Sequence, residues 1–187
     1  MSDQSQTKVA YEGKIIRVIE TPLPGGRIRE IAYRPYGTRT IVHRLSDDHI
    51  LLNQEIRLDI GDDIRLPGGK IRDTNTEWDE IKNDPNLNDL IVQAAVREVR
   101  EETGLELTDP RLFSVATNGA PTIDFNLYYI IANNFTDLGH QDLKEDEEIT
   151  TKWFSVKGVI DICLTGKMNE GRSAAVLLQY LHTLGKI

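Results

Sequence analysis

The spacing of apolar residues divides the chain into strand-like and helix-like stretches. Residues 9–20 carry β-branched side chains in a strand-like run, and Pro22-Leu23-Pro24-Gly25-Gly26 supplies turn chemistry. Residues 27–33, with Ile28 and Ile31 apolar, predict the returning arm of a hairpin. Residues 40–45 and 50–53 predict two strands joined at Ser46-Asp47-Asp48-His49, the second extended by Gln54 to Arg57. Further strands are predicted at 112–116, 125–132 and 152–155, and the largely apolar 125–132 predicts burial on both faces. Helical spacing covers 89–103, where Leu90, Ile91, Ala94, Ala95, Val96 and Val99 share a side. Asn88 is its expected N-cap, and Gly104 suits the left-handed position that ends a helix. Residues 159–164 and 173–184 predict two more helices, the last packed through Ala174, Leu177, Leu178 and Leu181. Residues 1–8 read as a frayed tail, and the polar, acidic 72–88 with Pro85 reads as a loop. This order predicts a mixed sheet between helices, an α/β/α layering.

Glu98, Glu101 and Glu102 stand three and four residues apart, so on a helix they share a face. Adjacent carboxylates repel, which a hard divalent cation among them would offset. A generic charge run is more often a solvated surface. The order here is more specific. Arg97-Glu98-Val99-Arg100-Glu101-Glu102-Thr103-Gly104-Leu105 resembles the core of the Nudix box at every fixed position. Leu66-Pro67-Gly68-Gly69-Lys70-Ile71 resembles the glycine loop that opens the box. Two departures stand out. Gly69 and Arg97 lie 28 positions apart where the family usually has about fourteen, which implies an insertion near 72–88. Asp89 stands where the family carries an earlier glutamate.

The likeness continues outside the box. Tyr11-Glu12-Gly13-Lys14-Ile15-Ile16, Leu51-Leu52-Asn53-Gln54-Glu55-Ile56-Arg57, Pro121, Glu145-Asp146-Glu147-Glu148-Ile149 and Gly166-Lys167-Met168 are similar, in the same order, to ADP-ribose pyrophosphatases. Related nucleotide-sugar hydrolases, including those acting on GDP-mannose, share much of this pattern. Many ADP-ribose enzymes have Pro-Ala-Gly where this chain has Pro67-Gly68-Gly69. The resemblance implies a Nudix fold over 41–187, with a β-rich extension over 1–40 that serves dimerisation and substrate binding. It also implies metal-dependent hydrolysis of a nucleoside diphosphate derivative, foremost ADP-ribose to AMP and ribose 5-phosphate. Mg²⁺ is the implied cofactor, with Mn²⁺ as a substitute. Glu98 and Glu102 are the expected principal metal ligands, joined by Glu101, Glu147 and the Gly68 carbonyl. Glu145 is the expected base, with Arg97 holding a box carboxylate. Arg57 is expected to clamp the diphosphate, with Arg34, Pro121, Tyr11 and Tyr33 also at the substrate, and Tyr11, Tyr33 and Tyr36 are the candidates for stacking on the base. A homodimer is implied too. A non-catalytic Nudix-like domain that binds a nucleotide metabolite is the alternative of another class, and the intact carboxylate set argues against it.

Composition narrows the partners. A net charge of -8 and a sequence pI near 5.0 disfavour nucleic-acid polymers and anionic membranes. An anionic substrate therefore needs local help from a metal or arginines. The single Cys163 excludes an internal disulfide and fits a reducing compartment, so a cytoplasmic location is expected. Cys163 sits in an apolar run and reads as a packed thiol. The polar start of the chain lacks an apolar signal core, and no apolar run approaches the ~18 residues of a membrane span. The four histidines have no ligand spacing, which argues against zinc.

Overall fold

The structure, a computed structural model, describes residues 7–57, 61–145 and 148–187. In chain order its elements are β1 (Lys8–Glu12), β2 (Arg17–Leu23), β3 (Arg27–Tyr33), β4 (Gly37–Arg44), β5 (His49–Arg57), β6 (Gly61–Arg65), α1 (Asn75–Ile81), α2 (Leu87–Thr103), β7 (Leu105–Thr108), β8 (Arg111–Ala116), β9 (Ile123–Asp124), β10 (Leu127–Ala132), β11 (Asn134–Asp137), β12 (Ile149–Ser155), α3 (Val156–Leu164) and α4 (Gly171–Thr183). The central sheet runs β12-β5-β4-β10-β8, with β6 also paired to β5. It is mixed, since β10 lies parallel to β4 and antiparallel to β8.

Alternation along the central strands creates the layers. Ile41, Ile50, Leu52, Tyr129 and Ile131 face α3 and α4, where Val159, Ile162, Leu177 and Leu181 complete one core. Their neighbours Val42, Leu51 and Ala132 face the other way, towards Val99 of α2. Ile130 does the same against Ile91, Ala94 and Ala95. A period of two on the strands thus meets a period of 3.6 on helices at both faces, giving the expected α/β/α layering. Cys163 packs at the edge of the first core, and burial pushes its thiol up to about 11. Among the described residues, no helix is long and apolar enough to cross a membrane.

β1, β2 and β3 form a separate antiparallel sheet, to whose far edge β9 adds in parallel. The segment 72–88, expected as a loop, instead contains α1. Its cause is local: Thr74 accepts from the Glu77 N–H at 3.2 Å, and the Glu77 carboxylate accepts from the Thr74 N–H at 2.9 Å, a reciprocal cap. Trp78 is buried and its ring lies 4.7 Å from that of Tyr36. Asp79 pairs with Arg17 at 2.6 Å, and the Asn75 N–H donates to the Lys14 carbonyl. The inserted helix therefore ties the N-terminal sheet to the central domain. α2 also begins earlier than expected. Its N-cap is Asn86, which makes no side-chain cap bond, and Asn88 lies in the first turn. Gly104 does close the helix, at φ 72°, where an added Cβ would sit 2.3 Å from the His140 carbonyl oxygen.

Candidate active site

Helix α2 carries a buried stripe of Ile91, Ala94, Ala95, Glu98 and Val99. Glu98 occupies an apolar position of that stripe and is only 8% exposed. Glu102 follows one turn later on the same face. Burying carboxylates in a core-facing stripe costs free energy unless something compensates them. The compensation comes from the glycine loop. Leu66 and Ile71, both fully buried, anchor its two ends in different cores. Backbone bonds from Thr38 N to Gly69 O and from Thr40 N to Pro67 O, both 2.8 Å, hold it against β4.

Both glycines are required by close approach. Gly68 has φ 138°, and a Cβ there would meet the Thr38 carbonyl oxygen at 2.4 Å. A Cβ on Gly69 would fall 2.0 Å from Oε2 of Glu98, so the missing side chain is the space the carboxylate fills. Arg97 donates to Glu98 Oε1 at 2.7 Å and to the Lys70 carbonyl at 3.3 Å, bracing helix to loop. Glu102 Oε2 accepts from the Gly68 N–H at 2.8 Å and from Asn53 Nδ2 at 2.9 Å. Its carboxyl end is enclosed, and burial pushes its pKa up to about 7. The Gly68 N–H and the Arg39 charge pull against that rise, while Glu98 and Glu55 reinforce it.

Of the expected trio, Glu98 is buried and Glu101 and Glu102 are both half-buried; Glu102 is the one bonded to the glycine loop. Among the described residues, no three His, Cys, Asp or Glu side chains converge as a cage for a metal. Two carboxylates still fit a Mg²⁺-like ion. Such an ion is held through one or two carboxylates and completes its shell with water and substrate phosphates. The donors present are all oxygens, and a buried carboxyl that resists ionisation is one that a cation would relieve.

Arginines surround this acidic centre. Arg39, on β4, donates to the Thr38 carbonyl at 2.9 Å and to the Gly68 carbonyl, while its Nε is buried without a hydrogen-bond partner. Arg65 pairs with Glu55 at 2.9 Å and with the buried Asp63, and Arg57 reaches Glu55 at 3.3 Å. The Arg34 guanidinium lies 4.2 Å from the centre of the Phe125 ring, with Arg172 at 5.0 Å from the same ring. Burial, then Arg172 and Arg57, lower the pKa of Arg34. Arg172 also donates to the Phe125 carbonyl and is gripped by Glu170. A groove of about 860 Å³ opens alongside, lined by Glu55, Asp63, Glu148, Lys152, Lys167 and Asn169. It does not reach Glu98 or Glu102 directly and adjoins them through Glu55 and strand β5.

The remaining expected residues are dispersed. Glu145 lies exposed at a turn, and Glu147 is outside the described residues. Gln141 and Asp142 are held beside the end of α2: the Asp142 N–H donates to the Glu101 carbonyl, and Gln141 Nε2 donates to the carbonyls of Glu102 and Ile149. Tyr33 pairs with Asp124 across β3 and β9, next to Tyr36, whose hydroxyl donates to Asp124 at 2.5 Å. Pro121 is exposed just before β9. Tyr11 lies on β1, at the opposite edge of that sheet, and does not join the carboxylates within one chain. Sequence reasoning missed Arg39, Asn53, Gln141 and Arg172. Only Arg39 carried a visible signal, as a charge entering the otherwise uncharged Thr38-to-Val42 strand.

No curated protein matches the sequence. A crystal structure of an ADP compounds hydrolase is similar over 100% of both chains, with a TM-score of 0.65 and 14% identity, a likeness of fold. The family model described as the NUDIX domain matches residues 35–176, which takes in the glycine loop, both buried glutamates and their arginine brace. With that match spanning most of its length, the chain belongs to the Nudix family of hydrolases.

Proposed function

We propose that this Nudix hydrolase cleaves the diphosphate linkage of a nucleoside diphosphate derivative, foremost ADP-ribose, adding water to give AMP and ribose 5-phosphate. The observation that carries the reading is the pair Glu98 and Glu102 on one helix face, Glu98 buried against Gly69 and Glu102 bonded to the Gly68 N–H. Nudix enzymes generally use divalent cations. Here Glu98 and Glu102 would hold the ion, with the Gly68 carbonyl and Glu147 as further ligands. When bound, it supplies charge neutralisation at the diphosphate and a lower pKa for the attacking water. Arg97 keeps Glu98 in place. Arg34 and Arg57 bind the anionic oxygens, since guanidinium donors match phosphate geometry and this acidic chain needs local positive charge. Glu145 takes the water's proton from a loop held beside α2.

The N-terminal sheet supports a homodimer in this reading. Val9, Tyr11 and Ile28 are 55%, 57% and 61% exposed on a sheet whose edge strand β1 has no neighbour on its outer side among the described residues. A two-fold partner would cover that edge and bring Tyr11 towards a neighbouring site.

The test is a hydrolysis screen over ADP-ribose, GDP-mannose, UDP-glucose, NADH and dinucleoside polyphosphates, with products identified. The reading expects ADP-ribose to give the highest kcat/KM, with AMP and ribose 5-phosphate as products. A preference for GDP-mannose would move the assignment to nucleotide sugars, and turnover of none would refute it.

A further inference from the structure

The Arg39 guanidinium is enclosed at the carboxylate site and bonded to the loop itself. β4 sends Ile41 into the α3–α4 core, and Arg39, two residues earlier, shares that face. Its Nη1 bonds the carbonyls of Thr38 and Gly68, so the lone pairs of Gly68 that point into the site meet a positive charge. The N–H of the same residue, in the preceding peptide unit, is held by Glu102. Arg39 Nε remains unpartnered in the interior, an arrangement that a purely structural arginine would avoid. Arg65 adds a second positive charge close by, and Glu102 and Glu170 supply the opposing negative ones.

We propose that Arg39 is the resident counter-cation of the metal-free site, holding the Gly68 carbonyl and offsetting Glu102 until a divalent ion displaces it. This rests on the reading of Glu98, Glu102 and the Gly68 carbonyl as the metal site. Two consequences follow from charge and geometry. Metal uptake brings a second cation to the carbonyl that Arg39 already holds and must overcome repulsion from the guanidinium, so Arg39 weakens metal affinity. The released side chain keeps its charge and its unpartnered Nε beside the diphosphate, so Arg39 is a positioning residue that exchanges a carbonyl for a phosphate oxygen.

The test measures Mn²⁺ binding to the intact protein by the loss of the free-ion paramagnetic resonance signal, without substrate, for wild type, Arg39→Met, Arg39→Lys and Glu102→Gln. Arg39→Met keeps the reach of the side chain but removes charge and donors, and should bind Mn²⁺ at least ~10-fold more tightly. Arg39→Lys keeps the charge and should stay within a few-fold of wild type. Should Arg39→Met fail to fold, Arg39→Gln reads the loss of charge in its place, with tightening again expected. Mn²⁺ binding by Arg39→Met or Arg39→Gln that equals or falls below wild type, while Glu102→Gln loses it, overturns the role of Arg39 and leaves the metal site standing. Binding that survives Glu102→Gln unchanged, or is absent from wild type, overturns the metal reading and the inference with it.

Discussion

Glu102→Gln separates the stability cost of the buried carboxylate from its chemical use. In the unfolded chain this carboxyl loses its proton near 4.5; in the folded protein it keeps it up to about 7. The native state therefore binds more protons than the unfolded state between those values, and stability falls as pH rises from about 4.5 to 7. Above pH 7 the full penalty is present, about 3 kcal/mol for a shift of this size. Glutamine mimics the protonated form. Its single oxygen can keep both bonds now accepted by Oε2, from Gly68 N and Asn53 Nδ2. In metal-free buffer, wild type and variant should melt together at pH 4. At pH 8 the variant should be more stable by up to about 3 kcal/mol, roughly 6–12 °C in Tm for a chain of this size. Mg²⁺ should raise the Tm of wild type at pH 8 and leave the variant unmoved. Scanning calorimetry at both pH values, with chelator and then with Mg²⁺, reads all four conditions. A variant that is less stable than wild type at pH 8, or a gap that does not change with pH, would refute the reasoning.

Three further outcomes are expected. Gly69→Ala places a methyl group where the Glu98 carboxylate sits, so turnover should drop roughly 10²-fold; near-normal kcat would show that Glu98 can move freely. Glu145→Gln should lower turnover with little change in Mn²⁺ affinity, whereas Glu147→Gln should weaken both, and hydrolysis unchanged in both variants would make that loop a solvated turn. Light scattering at micromolar concentration should give the mass of a dimer; a monomer whose activity is independent of concentration would reject a shared site.

The central layers were legible because burial follows simple periods. Ile41 against Val42 and Tyr129 against Ile130 show a strand's alternation, and Ile91, Ala95 and Val99 a helix's. The short strands β7 and β11 escaped because their burial is thin; Leu105 and Leu107 are the only buried residues in β7. α1 was missed although Thr74 and Glu77 spell its cap, because polarity and Pro85 outweighed a single tryptophan. At the site, spacing on a helix face showed the carboxylates, whereas the glycine loop was read from the resemblance and the close approaches at Gly68 and Gly69 give its physical reason. Arg39 and Asn53 converge from β4 and β5 on the contact between Gly68 and Glu102, and only three-dimensional packing brings residues so far apart in sequence around one loop. Spacing groups Glu101 with Glu98 and Glu102; in the fold Glu98 is the buried one and the other two are half-buried.

The most direct measurement is a ³¹P NMR time course of ADP-ribose with wild type and Glu102→Gln, each in Mg²⁺ and in chelator. The account predicts that the diphosphate signals of ADP-ribose give way to two monophosphate signals, AMP and ribose 5-phosphate, only for wild type in Mg²⁺, with the variant slower by orders of magnitude. Equal conversion by the variant, or cleavage that persists in chelator, would contradict it.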